Sequence, residues 1–349
     1  MKILCVFGTR PEAIKLAPVI QEISKNKTKF NLKICSTGQH KELLDQVLEA
    51  FNFKSDYDLE IMKKNQTLEN ITLSILRETS KILEIFNPDI VMVHGDTTTS
   101  FAASLAAFYK NIKVAHVEAG LRSFVMDNPW PEEFNRKAIS DMTTFHFAPT
   151  AISNKNLIAE GVLKKNIIIT GNTVIDSLFQ ALKKIDSSKK INNSLNKELS
   201  EVGIAKKNLN SWEKNKRKLI LITGHRRESF GKGFKDICFA LKELSKLYPT
   251  VDFIYPAHLN PNVRKSIKLF FGEDCFNKSF SKEGNLFFID PLSYLSFIKL
   301  MRLSHIILTD SGGVQEEAPS LKKPVLLMRE TSERPEAIKA GTVKKVGTN

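Results

Sequence analysis

Short, uninterrupted apolar runs alternate with helix-period segments along nearly the whole chain, and this alternation limits the fold class more than any other feature. In the first half the runs Ile3–Phe7, Leu32–Ser36, Ile90–Val93, Lys113–Val117, Thr144–Ala148 and Ile167–Thr170 read as strands. In the second half the same reading applies to Lys218–Ile222, Val251–Tyr255, Leu286–Ile289, His305–Leu308 and Val325–Met328. A strand without polar alternation needs cover on both faces, which parallel sheets flanked by helices provide. Between the two blocks, residues 183–218 are rich in Lys, Asn and Ser and poor in apolar periodicity, so they read as a linker with helical turns at a domain boundary. The expected architecture is α/β: two doubly wound domains, residues 1–172 and 173–349, facing each other across a central cleft. A chain of 349 residues is long enough to give each domain its own core.

Several function classes drop out at this stage. No apolar run approaches the length of a membrane span, and the amino terminus turns polar too early for a signal-peptide core, so a cytoplasmic protein without membrane contact is expected. Cys5, Cys35, Cys238 and Cys275 are scattered without a Cys-x-x-Cys pair and read as buried free thiols, and nothing indicates a metal or another cofactor. The formal charge of +14 invites a nucleic-acid reading. The lysines argue against it. Their densest runs, 183–197 and 206–218, are not interleaved with aromatics, and no helix-turn-helix, RRM or zinc-finger spacing occurs. A solvated basic surface, which attracts a small anionic substrate, is the expectation.

The chemistry-bearing residues gather just after the predicted strands. After the first come Gly8-Thr9-Arg10-Pro11-Glu12, with Lys15 one turn on. Pro11 suits a helix start with Thr9 or Arg10 at the cap, and free N–H groups there would attract a phosphate or carboxylate beside the Arg10 and Lys15 cations. Asp96 follows His94-Gly95, Glu118 follows His116-Val117, and Glu132-Glu133 follow Pro129-Trp130-Pro131. Any one of these acids alone reads as a cap or an ion-pair partner. Three of them together with Arg10 and Lys15, at the sheet end where open α/β folds bind ligands, read as a site. In the second half, Gly224–Gly233 combines His225 with two arginines and three glycines. Asp310-Ser311-Gly312-Gly313 precedes a predicted helix in which Glu317 is placed to take both hydroxyls of a ribose. His225 is the histidine expected to be catalytic, and most of the others are expected to be structural.

These segments, together with Ser36–His40, Thr170–Asp176, Tyr255–Val263 and Glu317–Ser320, occur in one order over nearly the whole chain and resemble the bacterial non-hydrolysing UDP-N-acetylglucosamine 2-epimerases. The resemblance implies two Rossmann-like domains in a GT-B-like arrangement, a homodimer, and reversible conversion of UDP-GlcNAc to UDP-ManNAc for surface polysaccharides. It also implies a mechanism of anti elimination of UDP, a 2-acetamidoglucal intermediate and re-addition. By the same resemblance Asp96, Glu118 and Glu132 are the acid/base candidates, with their individual roles open, and His225 assists the departing phosphate. Arg10, Lys15, Ser311, Gly312 and Gly313 are assigned to the diphosphate region, Glu317 to the ribose, and Phe297 to the neighbourhood of the uracil. No metal or cofactor is implied.

The sequence departs from the family pattern in two places. Where some members carry Gln-His-x-Gln and an arginine before Gln-Thr for a second, activating UDP-GlcNAc, this chain has Gln39-His40-Lys41-Glu42 and Asn65-Gln66-Thr67, so activation in that form is not expected. The family also continues past the position of Asn349 into carboxyl-terminal helices that return to the first domain, and those helices are expected to be missing here. Three other readings stay open: a 2-epimerase of a modified UDP-sugar such as a 2,3-diacetamido uronate, a GT-B glycosyltransferase, and a nucleotide-sugar sensor without turnover.

Overall fold

A computed structural model describes residues 1–38, 41–62, 66–224, 231–276, 284–329 and 335–348. The chain divides into two compact units, Met1–Ser177 and Leu178–Asn349. The first turn of the helix Val174–Ser187 stays with unit 1 through two hydrogen bonds: Thr173 Oγ1 donates to the Lys15 carbonyl at 2.5 Å, and Ser177 Oγ donates to the Ile14 carbonyl at 2.5 Å.

Unit 1 is built on a seven-stranded sheet. Its strands are β1 (Lys2–Phe7), β2 (Asn31–Ser36), β3 (Tyr57–Asp58), β4 (Ile90–His94), β5 (Lys113–Val117), β6 (Phe145–Ala148) and β7 (Ile167–Ile169). They run parallel in the order β3-β2-β1-β4-β5-β6-β7. The order reverses at β1, which lies between β2 and β4, so the crevice outside the carboxyl ends of β1 and β4 is the expected ligand position in unit 1. Leu4, Val6, Val91, Val93 and Val114 are fully buried, as double-sided helix cover requires.

Unit 2 repeats the scheme with six strands: β8 (Lys218–Thr223), β9 (Val251–Pro256), β10 (Leu286–Ile289), β11 (Ile306–Thr309), β12 (Val325–Leu327) and β13 (Val343–Lys345). The parallel order is β10-β9-β8-β11-β12-β13, with its reversal between β8 and β11. The eleven apolar runs all form strands, shifted by a residue or two at their ends. The sequence reading missed the two edge strands, β3 and β13, which are two and three residues long.

The stretch 183–218 departs from the linker expectation. It is mostly helical, with Val174–Ser187, Lys189–Glu201 and Lys206–Glu213 following one another. The apolar residues there are sparse but large and fully used: Leu195, Leu199, Leu209 and Trp212 are buried. Trp212 sets its ring edge-on to Phe287 and donates from its indole N–H to Asp252 at 2.8 Å. Glu198 receives the Ser293 N–H at 2.8 Å and the Ser293 and Ser296 hydroxyls at 2.7 Å each, fixing the start of the helix Tyr294–Leu303. Cys5, Cys35, Cys238 and Cys275 are free thiols in the cores. Among the described residues no helix is long and apolar enough to cross a membrane, and no cluster of His, Cys, Asp and Glu could hold a metal ion.

Candidate active site

At the β1 turn the helix Arg10–Lys25 starts with Thr9 as its cap and Pro11 in the first turn, where a missing N–H costs nothing. The N–H groups expected to be free for an anion are in part already taken by the chain itself. Glu12, 1% exposed, closes a capping box with Thr9: its Oε2 receives the N–H of Gly8 at 3.0 Å and of Thr9 at 2.8 Å. Its Oε1 faces the hydroxyls of Thr97 at 2.6 Å and Ser100 at 3.0 Å. Burial pushes the Glu12 carboxyl above the usual carboxylate range, and the hydrogen bonds from Thr97, Gly8 and Thr9 pull the other way.

The turn itself requires glycine. A Cβ on Gly8 would lie 2.2 Å from Thr37 Oγ1 and 2.4 Å from Thr99 Oγ1, two buried hydroxyls that contact each other at 3.1 Å. Neither short side chain has room to retreat. Gly8→Ala is therefore expected to destabilise the protein by about 1–3 kcal/mol, the usual cost of forcing atoms into a packed site. A denaturant midpoint equal to that of the parent would refute this.

Lys15 lies one turn further along that helix, 6% exposed, and is ion-paired with Glu118. Glu118 directly follows β5 in the left-handed backbone region, with φ at 65°, an uncommon conformation for a residue with a side chain. Its Oε2 also accepts from Asn172 Nδ2 at 2.7 Å, and its Oε1 lies 3.7 Å from where a Cβ of Gly95 would sit. Asp96, next along the β4 loop, is paired with Arg136, which also holds the buried Glu133 at 3.1 Å. Asn135 Nδ2 donates to the Asp96 carbonyl at 2.9 Å. Glu133 in turn receives the N–H groups of Ser123 and Phe124, so it holds the preceding loop in place. Glu132 opens the helix Glu132–Met142 and is half-buried. Asp96, Glu118, Glu132, Arg10 and Lys15 thus all belong to unit 1, and Lys15 and Glu118 are in direct contact.

Behind the two acids lies a row of buried histidines on adjacent strands, His94 on β4, His116 on β5 and His146 on β6. Burial pushes His94 down to about 4 and His116 to about 3, with His146 at about 4, so all three are neutral near pH 7. His94 Nε2 points towards Glu118 Oε2 at 3.9 Å without a hydrogen-bond partner. His116 Nε2 is bonded to the Gly95 carbonyl at 2.7 Å and so braces the loop that carries Asp96.

In unit 2, β11 leads into Asp310 and Ser311, whose N–H donates to Thr309 Oγ1 at 2.9 Å, and then through Gly312 and Gly313 into the helix Val314–Ser320. Glu317, one turn inside, is 6% exposed and accepts from the Tyr294 hydroxyl at 2.9 Å. Phe297, half-buried, is three residues after Tyr294 on the same helix, which ties the two residues assigned to the nucleoside to one rigid element. His225 lies outside the described residues, as do Gln39, His40 and Asn65. The sequence reading gave no role to Glu12, Asn172, Arg136 or Tyr294. Only Glu12 had a local signal, a glutamate three residues after a capping threonine.

The sequence profile of the family described as UDP-N-acetylglucosamine 2-epimerase matches residues 21–349. A UDP-N-acetylglucosamine 2-epimerase of Neisseria meningitidis serogroup A is 52% identical over 348 residues, covering 100% of this chain and 88% of the relative. One of Campylobacter jejuni is 53% identical over 347 residues, covering 99% and 86%. Among solved structures, the Neisseria meningitidis UDP-GlcNAc 2-epimerase bound to UDP-GlcNAc is similar with a TM-score of 0.89, 52% identity and coverage of 100% and 88%. The Methanocaldococcus jannaschii enzyme in complex with UDP-GlcNAc and UDP gives a TM-score of 0.83 at 35% identity, covering 100% and 90%.

Proposed function

The chain belongs to the UDP-N-acetylglucosamine 2-epimerase family, and from that premise we propose that it interconverts UDP-GlcNAc and UDP-ManNAc. The observation that carries the reading is the set of ionisable side chains after β1, β4 and β5, above all Glu118 with its Lys15 partner, in a chain half identical to an enzyme solved with UDP-GlcNAc.

C2 of the sugar bears no carbonyl to acidify its proton. Bond breaking at C2 must be coupled to departure of a stable group, and UDP is that group. In anti elimination a carboxylate takes the C2 proton, the C2–H electron pair becomes the C1=C2 double bond, and the C1–O bond breaks to release UDP. Re-addition of UDP to C1, with protonation of C2 from the opposite face, gives the epimer. The reaction needs acid/base groups on both faces of C2 and cations on the diphosphate. Asp96, Glu118 and Glu132 are our candidates for the first task, and Arg10, Lys15, Ser311, Gly312 and Gly313 for the second. Glu317 is assigned to the ribose, Phe297 to the uracil and His225 to the leaving phosphate. A cytoplasmic homodimer supplying ManNAc units for surface polysaccharide completes the proposal; the four buried free thiols suit a reducing compartment.

Incubation with UDP-GlcNAc in D2O, followed by proton NMR, tests the reaction. Deuterium at C2 and a growing UDP-ManNAc signal are expected. Saturable binding with the C2 proton retained would overturn epimerisation of this sugar, and a product that forms only when an acceptor is added would identify a transferase.

A further inference from the structure

The first strand-to-helix turn of a doubly wound domain is where such folds commonly hold a ligand phosphate, on the N–H groups of the helix start. In unit 1 a carboxyl group of the chain itself sits there. Glu12 is 1% exposed, receives the N–H groups of Gly8 and Thr9 on one oxygen, and meets the hydroxyls of Thr97 and Ser100 on the other. The two amides belong to the β1 turn, and the two hydroxyls to the start of the helix Thr98–Tyr109 after β4, with Thr97 as its cap and Ser100 in its first turn, so this one side chain joins the two segments that flank the switch point. Ser100 extends the connection: its single hydroxyl hydrogen is shared between Glu12 Oε1 and the His94 carbonyl, 2.6 Å away. Arg10 lies two residues before Glu12, and Asp96 directly precedes Thr97.

We propose that Glu12 is a positioning residue, a resident carboxyl group that fills the turn's donor sites and holds Arg10 and Asp96 in fixed relation. It does not itself exchange a proton with substrate. The assay rests on the epimerase reading, whereas the geometry does not. Glutamine retains the shape: its carbonyl can accept from the Gly8 and Thr9 amides, and its amide can donate to the two hydroxyls, which can rotate to accept.

The experiment compares Glu12→Gln and Glu12→Ala for UDP-GlcNAc turnover, with and without formate. Glu12→Gln is expected to keep kcat within about threefold, as fits a group with no proton-transfer role. Glu12→Ala is expected to lose about a hundredfold in kcat, the scale of a misplacement of about 1 Å, with little change in KM. Formate, which can occupy the vacated donors, is expected to restore part of that loss. A folded Glu12→Ala protein with parental kcat would overturn the proposal, and a Glu12→Gln protein as inactive as Glu12→Ala would replace it with a proton-transfer role. If Glu12→Ala does not fold, Thr97→Val removes one of the two hydroxyl contacts, and parental kcat there counts against the proposal. Absence of turnover in the parent protein would refute the epimerase reading instead. Amide exchange then decides the present one: residues 8–9 and 97–100 should lose protection together in Glu12→Ala and keep it in Glu12→Gln, and independent exchange of the two segments would overturn it.

Discussion

Glu118→Gln is expected to lower UDP-GlcNAc turnover roughly a thousandfold, within the 10²–10⁴ range that positioned acid/base groups contribute. The substitution keeps the side chain's size but removes its ability to hold a proton. It also unbalances a nearly closed environment, since the Glu118 and Lys15 side chains are each 8% exposed. Removing one partner of a buried ion pair leaves the other charge uncompensated, a loss of about 3–5 kcal/mol in stability. Lower turnover could then follow from a smaller folded fraction. Turnover of Glu118→Gln normalised to its folded fraction separates the two effects, and the double variant Glu118→Gln/Lys15→Met tests the stability part alone, because replacing a buried pair by groups of similar volume is often neutral or stabilising while Lys15 is itself a diphosphate candidate. We expect the normalised turnover to stay roughly a thousandfold down and the double variant to recover most of the lost melting temperature. A Glu118→Gln protein with more than about a tenth of parental kcat would remove Glu118 from the acid/base set.

Much of this was legible in the sequence because the signals are local. A continuous apolar run such as Val91–Val93 or Leu219–Ile222 specifies a doubly covered strand from composition alone, and the residue after it falls at the ligand end of the sheet in any parallel arrangement. Asp96, Glu118 and Ser311 could be picked out on that basis. What the sequence hid is long-range. Asn172 reaches Glu118 across 54 residues and Arg136 reaches Asp96 across 40, and neither spacing carries a periodic signature. The polar stretch 183–218 hid its helices for a different reason: Leu195, Leu199, Leu209 and Trp212 give each helix a narrow apolar stripe, too thin to register beside so many lysines and asparagines. The β1 turn shows the converse, a local signal read too simply. Thr9 and Pro11 do mark a helix start, but Glu12, in the same five residues, already occupies N–H groups that the anion reading had left open.

Acidification from pH 7 to pH 5 is expected to destabilise unit 1 by several kcal/mol, with the buried histidine row as the cause. His94 and His116 are held at about 4 and about 3 in the folded protein, against an ordinary value of 6.5, and burial is the main cause for both. A histidine with a lowered native pKa binds its proton first in the unfolded chain. Its stabilising contribution is therefore complete above pH 6.5 and is lost as pH falls from there towards the native value. In that window each such group costs about 1.4 kcal/mol per pH unit, or about 2 kcal/mol each between pH 7 and pH 5. His146 acts in the same direction. Glu12 opposes them: its raised pKa lets the native state take up a proton that the unfolded chain would bind only at lower pH, so its contribution grows as pH falls. The histidines prevail by number: between pH 6.5 and pH 5 three rings bind their protons only in the unfolded chain, against one carboxyl that binds its proton only in the native state. Thermal unfolding monitored with amide exchange should show β4, β5 and β6 losing protection from pH 6.5 downwards, ahead of the strands of unit 2. A melting temperature unchanged between pH 7 and pH 5 would mean that the three rings are already accessible to protons in the native state.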